Sequence, residues 1–187
     1  MLERLAPATQ IVLALIVLIA GYYDIRWRRI PNWLTLPSLV IGLALNYFLY
    51  GLGTYFTPGL ASAFIGVLLA LVLNVPLYAL HARGAGDVKL LAALGALIGW
   101  RDWLAIFILS SIIGGVLAVV LMLAKGRFKK TLWNTGYLIT ELSHFRAPHL
   151  QYEELDVNSS IAFRLPQGAV IALGCCAFLG FHALWPK

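Results

Sequence analysis

Charge is what this sequence has least of. Asp, Glu, Lys and Arg make up 12% of the chain against 61% hydrophobic residues, and the mean hydropathy is +0.85. A soluble domain of 187 residues could not cover so much apolar surface with so few charges, and here the apolar residues come in long blocks. Thiols are nearly absent as well. The only cysteines, Cys175 and Cys176, are adjacent inside an apolar run, which offers neither a CxxC redox pair nor a zinc knuckle. His81, His144 and His149 form no ligand cluster with acids at suitable spacing, so no metal and no other cofactor is expected. There is no internal repeat and no low-complexity tract. These absences leave an all-α polytopic membrane protein, read as a single domain over residues 1–187.

A hydrocarbon core of roughly 30 Å takes about 20 residues of apolar helix. On that ruler the chain holds about six transmembrane helices, near 8–23, 33–50, 58–80, 88–100, 103–124 and 161–183. The first does not read as a removable signal peptide. Its head carries both Glu3 and Arg4, and no small-residue cleavage site follows. Pro76 is expected to kink the third span, while Gly95, Gly99, Gly114 and Gly115 would let helices approach closely.

Of the 14 Lys and Arg residues, all but Arg4, Arg101 and Lys187 follow spans one, three and five. The positive-inside rule therefore puts these loops in the cytoplasm and both termini outside. This placement of the +6 net charge also argues for a lipid bilayer and against nucleic acid as the partner. The long loop near 125–160 repeats Phe128, Leu132, Thr135, Leu138, Ile139 and Leu142 at helical spacing. Either an amphipathic surface helix or an ordinary solvated connector would fit it.

Two acids stand apart. Asp24 ends the first apolar block and Asp87 opens the fourth, so topology puts both on one side. If Trp100 marks the outer interface, the helix back to Asp87 covers only about 20 Å, which leaves Asp87 on the order of 10 Å beneath the cytoplasmic boundary. Submerged carboxylates are costly unless they pair or line a wet cavity. A pair shares a proton, leaving one carboxylate to activate water and one acid to protonate a scissile carbonyl. Each could instead simply cap a helix. Gly84 and Gly86 flank Asp87 and would let a substrate backbone pass close to it. Lys89 is either a surface anchor or an electrostatic partner of the pair.

Residues 84–100, GAGDVKLLAALGALIGW, resemble the GxGDxK signature of type IV prepilin leader peptidases, a family of GxGD aspartyl proteases. Asp24-Ile25-Arg26-Trp27-Arg28-Arg29-Ile30-Pro31-Asn32 resembles that family's first-aspartate motif, and residues 164–174 resemble its last span, with Gln167 where an aromatic residue is expected. The resemblance implies that Asp24 and Asp87 are catalytic. It also implies cleavage of a short basic leader from a pilin or pseudopilin precursor, at the cytoplasmic face of the bacterial inner membrane. Long members carry an N-terminal segment with paired CxxC motifs and also methylate the new N-terminus. Without that segment, the chain looks like the short, peptidase-only branch associated with tight-adherence (Flp) pili. A homo-oligomer is compatible with this reading. Since the leader is basic, the one acidic cytoplasmic cluster, Glu153, Glu154 and Asp156, is a candidate for attracting it.

Tyr23-Asp24 and GxGD also fit a presenilin-like intramembrane protease, but Leu165-Pro166-Gln167 is not the Pro-Ala-Leu motif such a protein needs. A rhomboid-type serine protease would need a GxSx turn that Ser62, Ser110 and Ser111 lack. Outside the enzymes, a proton-coupled transporter subunit would use buried Asp residues, yet no inverted repeat is present.

Overall fold

The structure is a computed structural model that describes residues 5–80, 83–124 and 166–184. Among these residues all regular structure is helical: α1 (Pro7–Trp27), α2 (Asn32–Tyr50), α3 (Leu60–Ala79), α4 (Ala85–Ala124) and α5 (Gln167–Leu184). Helices α1, α2 and α3 and residues Ala85–Leu121 of α4 are each long and apolar enough to cross a membrane, and Gln167–Phe181 forms a shorter apolar helix. The protein is a polytopic helical membrane protein. The 125–160 segment, with its amphipathic pattern, lies outside the described residues.

The expected fourth and fifth spans are one element interrupted at a single residue. Gly99 takes φ +74° and ψ 173° inside α4, a conformation that a side chain would strain and that glycine adopts freely. The chain reverses there. The Trp103 indole N–H donates to the Leu91 carbonyl at 2.8 Å, and the Arg83 guanidinium lies 5.8 Å over the Phe107 ring. Twelve residues of straight helix would hold Trp103 and Leu91 about 18 Å apart. Thus α4 is a hairpin of a short limb, 85–98, and a long limb, 100–124. Because glycine makes the turn alone, the loop expected near 101–102 is not needed.

A reversal strands the last carbonyls of the short limb. Asn46 of α2 supplies their donor: its amide reaches the Ala96 and Leu97 carbonyls at 3.0 and 2.8 Å. The limb sits at the centre of the bundle, with Leu90, Leu94 and Ala96 wholly buried. Its neighbours come close because they meet at glycines. A Cβ on Gly95 would stand 2.5 Å from the Gly66 carbonyl oxygen of α3, and one on Gly42 of α2 would stand 2.8 Å from the Ala96 backbone. Of the four glycines expected at close contacts, Gly95 makes one and Gly99 makes the turn. A Cβ on Gly114 would come 3.2 Å from Val170, and one on Gly115 would meet nothing within 4 Å. Pro76 falls in the last turn of α3, which closes with the Leu80 N–H on the Pro76 carbonyl at 3.0 Å.

The two ends of the bundle differ. At one, the Trp100 indole bonds the Tyr55 carbonyl (2.7 Å) and the Ala6 N–H bonds the Tyr50 hydroxyl (3.0 Å). Arg101 lies over the Trp100 and Phe56 rings there. At the other, Tyr23 packs on Trp27 and Trp33, with ring centroids 4.7 and 5.9 Å away. Aromatic side chains at both ends suit a bundle bounded by two membrane interfaces.

Candidate active site

The site lies at the end marked by Tyr23 and Trp27. Helix α1 stops just beyond Asp24: the Arg28 N–H bonds the Asp24 carbonyl at 2.8 Å, and Arg28 takes a left-handed conformation, φ 53°. This is the usual way of ending a helix, on a residue other than the favoured glycine. The turn sends Ile30 back beneath Asp24, and Pro31 then leads into α2. Ile30 becomes the floor of the site. A Cβ on Gly86 would lie 3.2 Å from the Ile30 Cβ, and one on Gly168 would lie 3.1 Å from its Cδ1.

Asp24 is 7% exposed. Its Oδ2 accepts the backbone N–H of Gly168 at 2.6 Å and that of Ala169 at 3.4 Å. These are orphan donors in the first turn of α5, where the helix dipole also favours a negative charge. The fit is tight on both helices, since a Cβ on Gly168 would stand 3.0 Å from the Asp24 Cβ. Asp87 occupies the first turn of α4 and is partly buried, with Gly84 against its carboxylate. Asp24 therefore caps α5, and Asp87 sits where the dipole of α4 favours its charge. They also act on each other electrostatically, although 63 positions separate them in sequence. Of the three acids among the described residues, the third, Asp102, lies just past the Gly99 turn, at the far end of the short limb.

The remaining expected residues fall as follows. Lys89 is exposed, and its Nζ donates to Asn32 Oδ1 at 2.9 Å, tying α4 to the head of α2. Gly84 lies against the Asp87 carboxylate, with its Cβ position 3.2 Å from Oδ2. A Cβ on Gly86 would also lie 3.5 Å from the Ile30 backbone, so the missing side chain lets Ile30 pack close. Glu153, Glu154 and Asp156 lie outside the described residues.

Three polar residues not singled out for the site stand beside it. Asn74, wholly buried in α3, bonds the Ala70 carbonyl at 2.7 Å and accepts from Arg83 Nη1. Arg83 Nε donates to Gln167 Oε1 at 3.0 Å. Gln167 immediately precedes the Gly168 that holds Asp24. Burial lowers the Arg83 guanidinium from its ordinary value and the Asp87 charge raises it; an arginine keeps its proton throughout. The signal for this group was an asparagine deep in an apolar run.

A model of the type IV leader peptidase family matches residues 11–119, the stretch that holds both aspartates. The chain belongs to that family. Its relatives include three proteins named prepilin leader peptidase/N-methyltransferase. That of Xanthomonas campestris pv. campestris is 34% identical over 122 residues, covering 65% of this chain and 42% of its own length. That of Myxococcus xanthus is 30% identical, covering 71% and 39% respectively. That of Neisseria gonorrhoeae is 33% identical, covering 69% and 46%. The chain thus spans less than half the length of each. No solved structure matches it.

Proposed function

We propose that the protein is a membrane aspartic endopeptidase that removes the short basic leader of type IV prepilins and pseudopilins, with Asp24 and Asp87 as its catalytic pair. The observation that carries this is two carboxylates, remote in sequence, brought to one end of the bundle, where Gly86 beside Asp87 and Gly168 against Asp24 both pack on Ile30. One of them is oriented by two backbone N–H groups. Family membership supports the substrate class. In the mechanism the pair holds one proton. The ionised carboxylate takes a proton from water as the water attacks the scissile carbonyl. The protonated partner hydrogen-bonds that carbonyl oxygen and protonates the amine as it leaves.

The topology proposed with this function has six passes, the two limbs of α4 counting separately. Both termini lie outside, and the site is at the cytoplasmic face of the bacterial inner membrane. The skew of basic residues supports it. We assign the substrate to the Flp-like precursors of tight-adherence pili and expect peptidase activity without the methyl transfer in the relatives' names. Co-expression with class IV precursors should convert them to the leaderless form, and the mass of the new N-terminus reports whether it is methylated. If no such precursor is shortened, the function is wrong.

Two outcomes follow from the chemistry. Single-turnover rate against pH should be bell-shaped, because the working state has one acid and one base, and the two apparent values belong to the pair. A flat profile with chemistry limiting would contradict the shared proton. Replacing Glu153, Glu154 and Asp156 together with Gln should raise KM for a basic leader at low salt and have no effect at high salt, where exposed charges are screened. An unchanged KM at low salt removes them from recognition.

A further inference from the structure

We infer that Arg83 is a positioning residue of the peptidase, holding the first turn of α5 against Asp24 and supplying the fixed positive charge beside Asp87; this rests on the proposed aspartyl chemistry. The geometry is a relay across three helices. Asn74 of α3 accepts from one end of the guanidinium, Phe107 of the long limb of α4 covers it, and Gln167 of α5 accepts from its Nε at 3.0 Å. A planar fork with five donors can serve two such acceptors at once, where a lysine offers only a point charge. One residue on from Gln167, the Gly168 N–H reaches Asp24 at 2.6 Å. Arg83 therefore fixes the donor that orients one aspartate while its charge acts on the other.

Among the described residues few other charges act on the pair. Arg28 acts on Asp24, and Lys89 is turned to Asn32. Helices α2 and α3 carry no charged residue, and the only titratable side chain in α5 besides the cysteines is His182, some four turns beyond Gln167. A pair carrying net negative charge is stabilised by a cation held next to it. Without that cation, ionisation requires higher pH.

The test is the pH profile of single-turnover cleavage in membranes holding the full chain. Arg83→Gln should move both limbs upward by about one pH unit, the scale of losing a nearby opposite charge. Arg83→Lys should keep the profile near its original position at a lower maximal rate, because the charge survives and the fork does not. Gln167→Glu keeps a hydrogen-bond acceptor on Arg83 while neutralising it, and should move the profile in the same direction as Arg83→Gln. A merely structural arginine would lower abundance or rate without moving the limbs. Limbs that stay in place in Arg83→Gln, or in Gln167→Glu if Arg83→Gln does not accumulate, overturn the inference while leaving the peptidase intact. Failure of the unmodified protein to cleave any precursor overturns the function instead.

Discussion

Asp24→Asn and Asp87→Asn are each expected to reduce leader cleavage by about three orders of magnitude, the middle of the range that a positioned acid or base contributes, with the protein still present in the membrane. Their places at helix termini make this test discriminating. Asp24 accepts two backbone N–H groups of α5, and Asp87 stands in the first turn of α4 beside Gly84. Asparagine is as good a helix cap as aspartate, and its side-chain oxygen can take the same hydrogen bonds. If capping were all these residues did, the Asn variants would keep their stability and nearly all their activity. If they are a proton-sharing pair, stability is kept and turnover is lost. The double variant should be no worse than either single one, because a pair with one member removed is already unable to hold an acid and a base together. Cleavage of a precursor by each purified variant, compared at equal amounts of folded protein, decides the matter. Retention of a tenth of the original activity by either single variant ends the dyad assignment.

Which parts of this arrangement were legible in the sequence follows from the range of the forces involved. Helix spans are local: apolar blocks of the right length declare themselves, and α1, α2 and α3 begin and end within a few residues of where the blocks do. Asp24 and Asp87 stand out because acids are scarce and these two share a side. The partners that orient them are not local. Nothing near Asp24 announces that its carboxylate is held by Gly168, 144 positions away. Arg83 looked like one more basic residue on the positive side, since its role depends on Asn74 and Gln167 from two other helices. Gln167 was visible only as an oddity at an aromatic position, and Asn46 and Asn74 as unremarked polar residues in apolar runs. Nor does the sequence announce that Ile30 packs against Gly86, after the left-handed turn at Arg28.

The glycines show the same limit and provide the second large effect. Read along the chain, Gly95 and Gly115 are equivalent small residues in apolar helix. In the bundle they are not. A Cβ at Gly95 would stand 2.5 Å from the Gly66 carbonyl oxygen, whereas one at Gly115 would meet nothing within 4 Å. The obstacle at Gly95 is backbone, which cannot move aside as a side chain can. A substitution must therefore push α3 away from the short limb of α4. Close backbone approach is a main source of helix association in lipid, and overpacking a tight interface costs about 1–3 kcal/mol, occasionally more. Displacing the short limb would also pull the Ala96 and Leu97 carbonyls from Asn46, stranding acceptors at a further cost of about 1–3 kcal/mol. Together these approach the whole stability of a marginally stable fold. Gly95→Val is thus expected to leave little folded protein, measured as a collapse in membrane abundance and in the thermal midpoint in detergent. Gly115→Val, the same change in the other limb of the same hairpin, should accumulate and melt almost as the original does. Equal tolerance at the two positions would mean that α3 and the short limb do not meet through Gly66 and Gly95. The central placement of Asp87's helix, on which the site depends, would then be wrong as well.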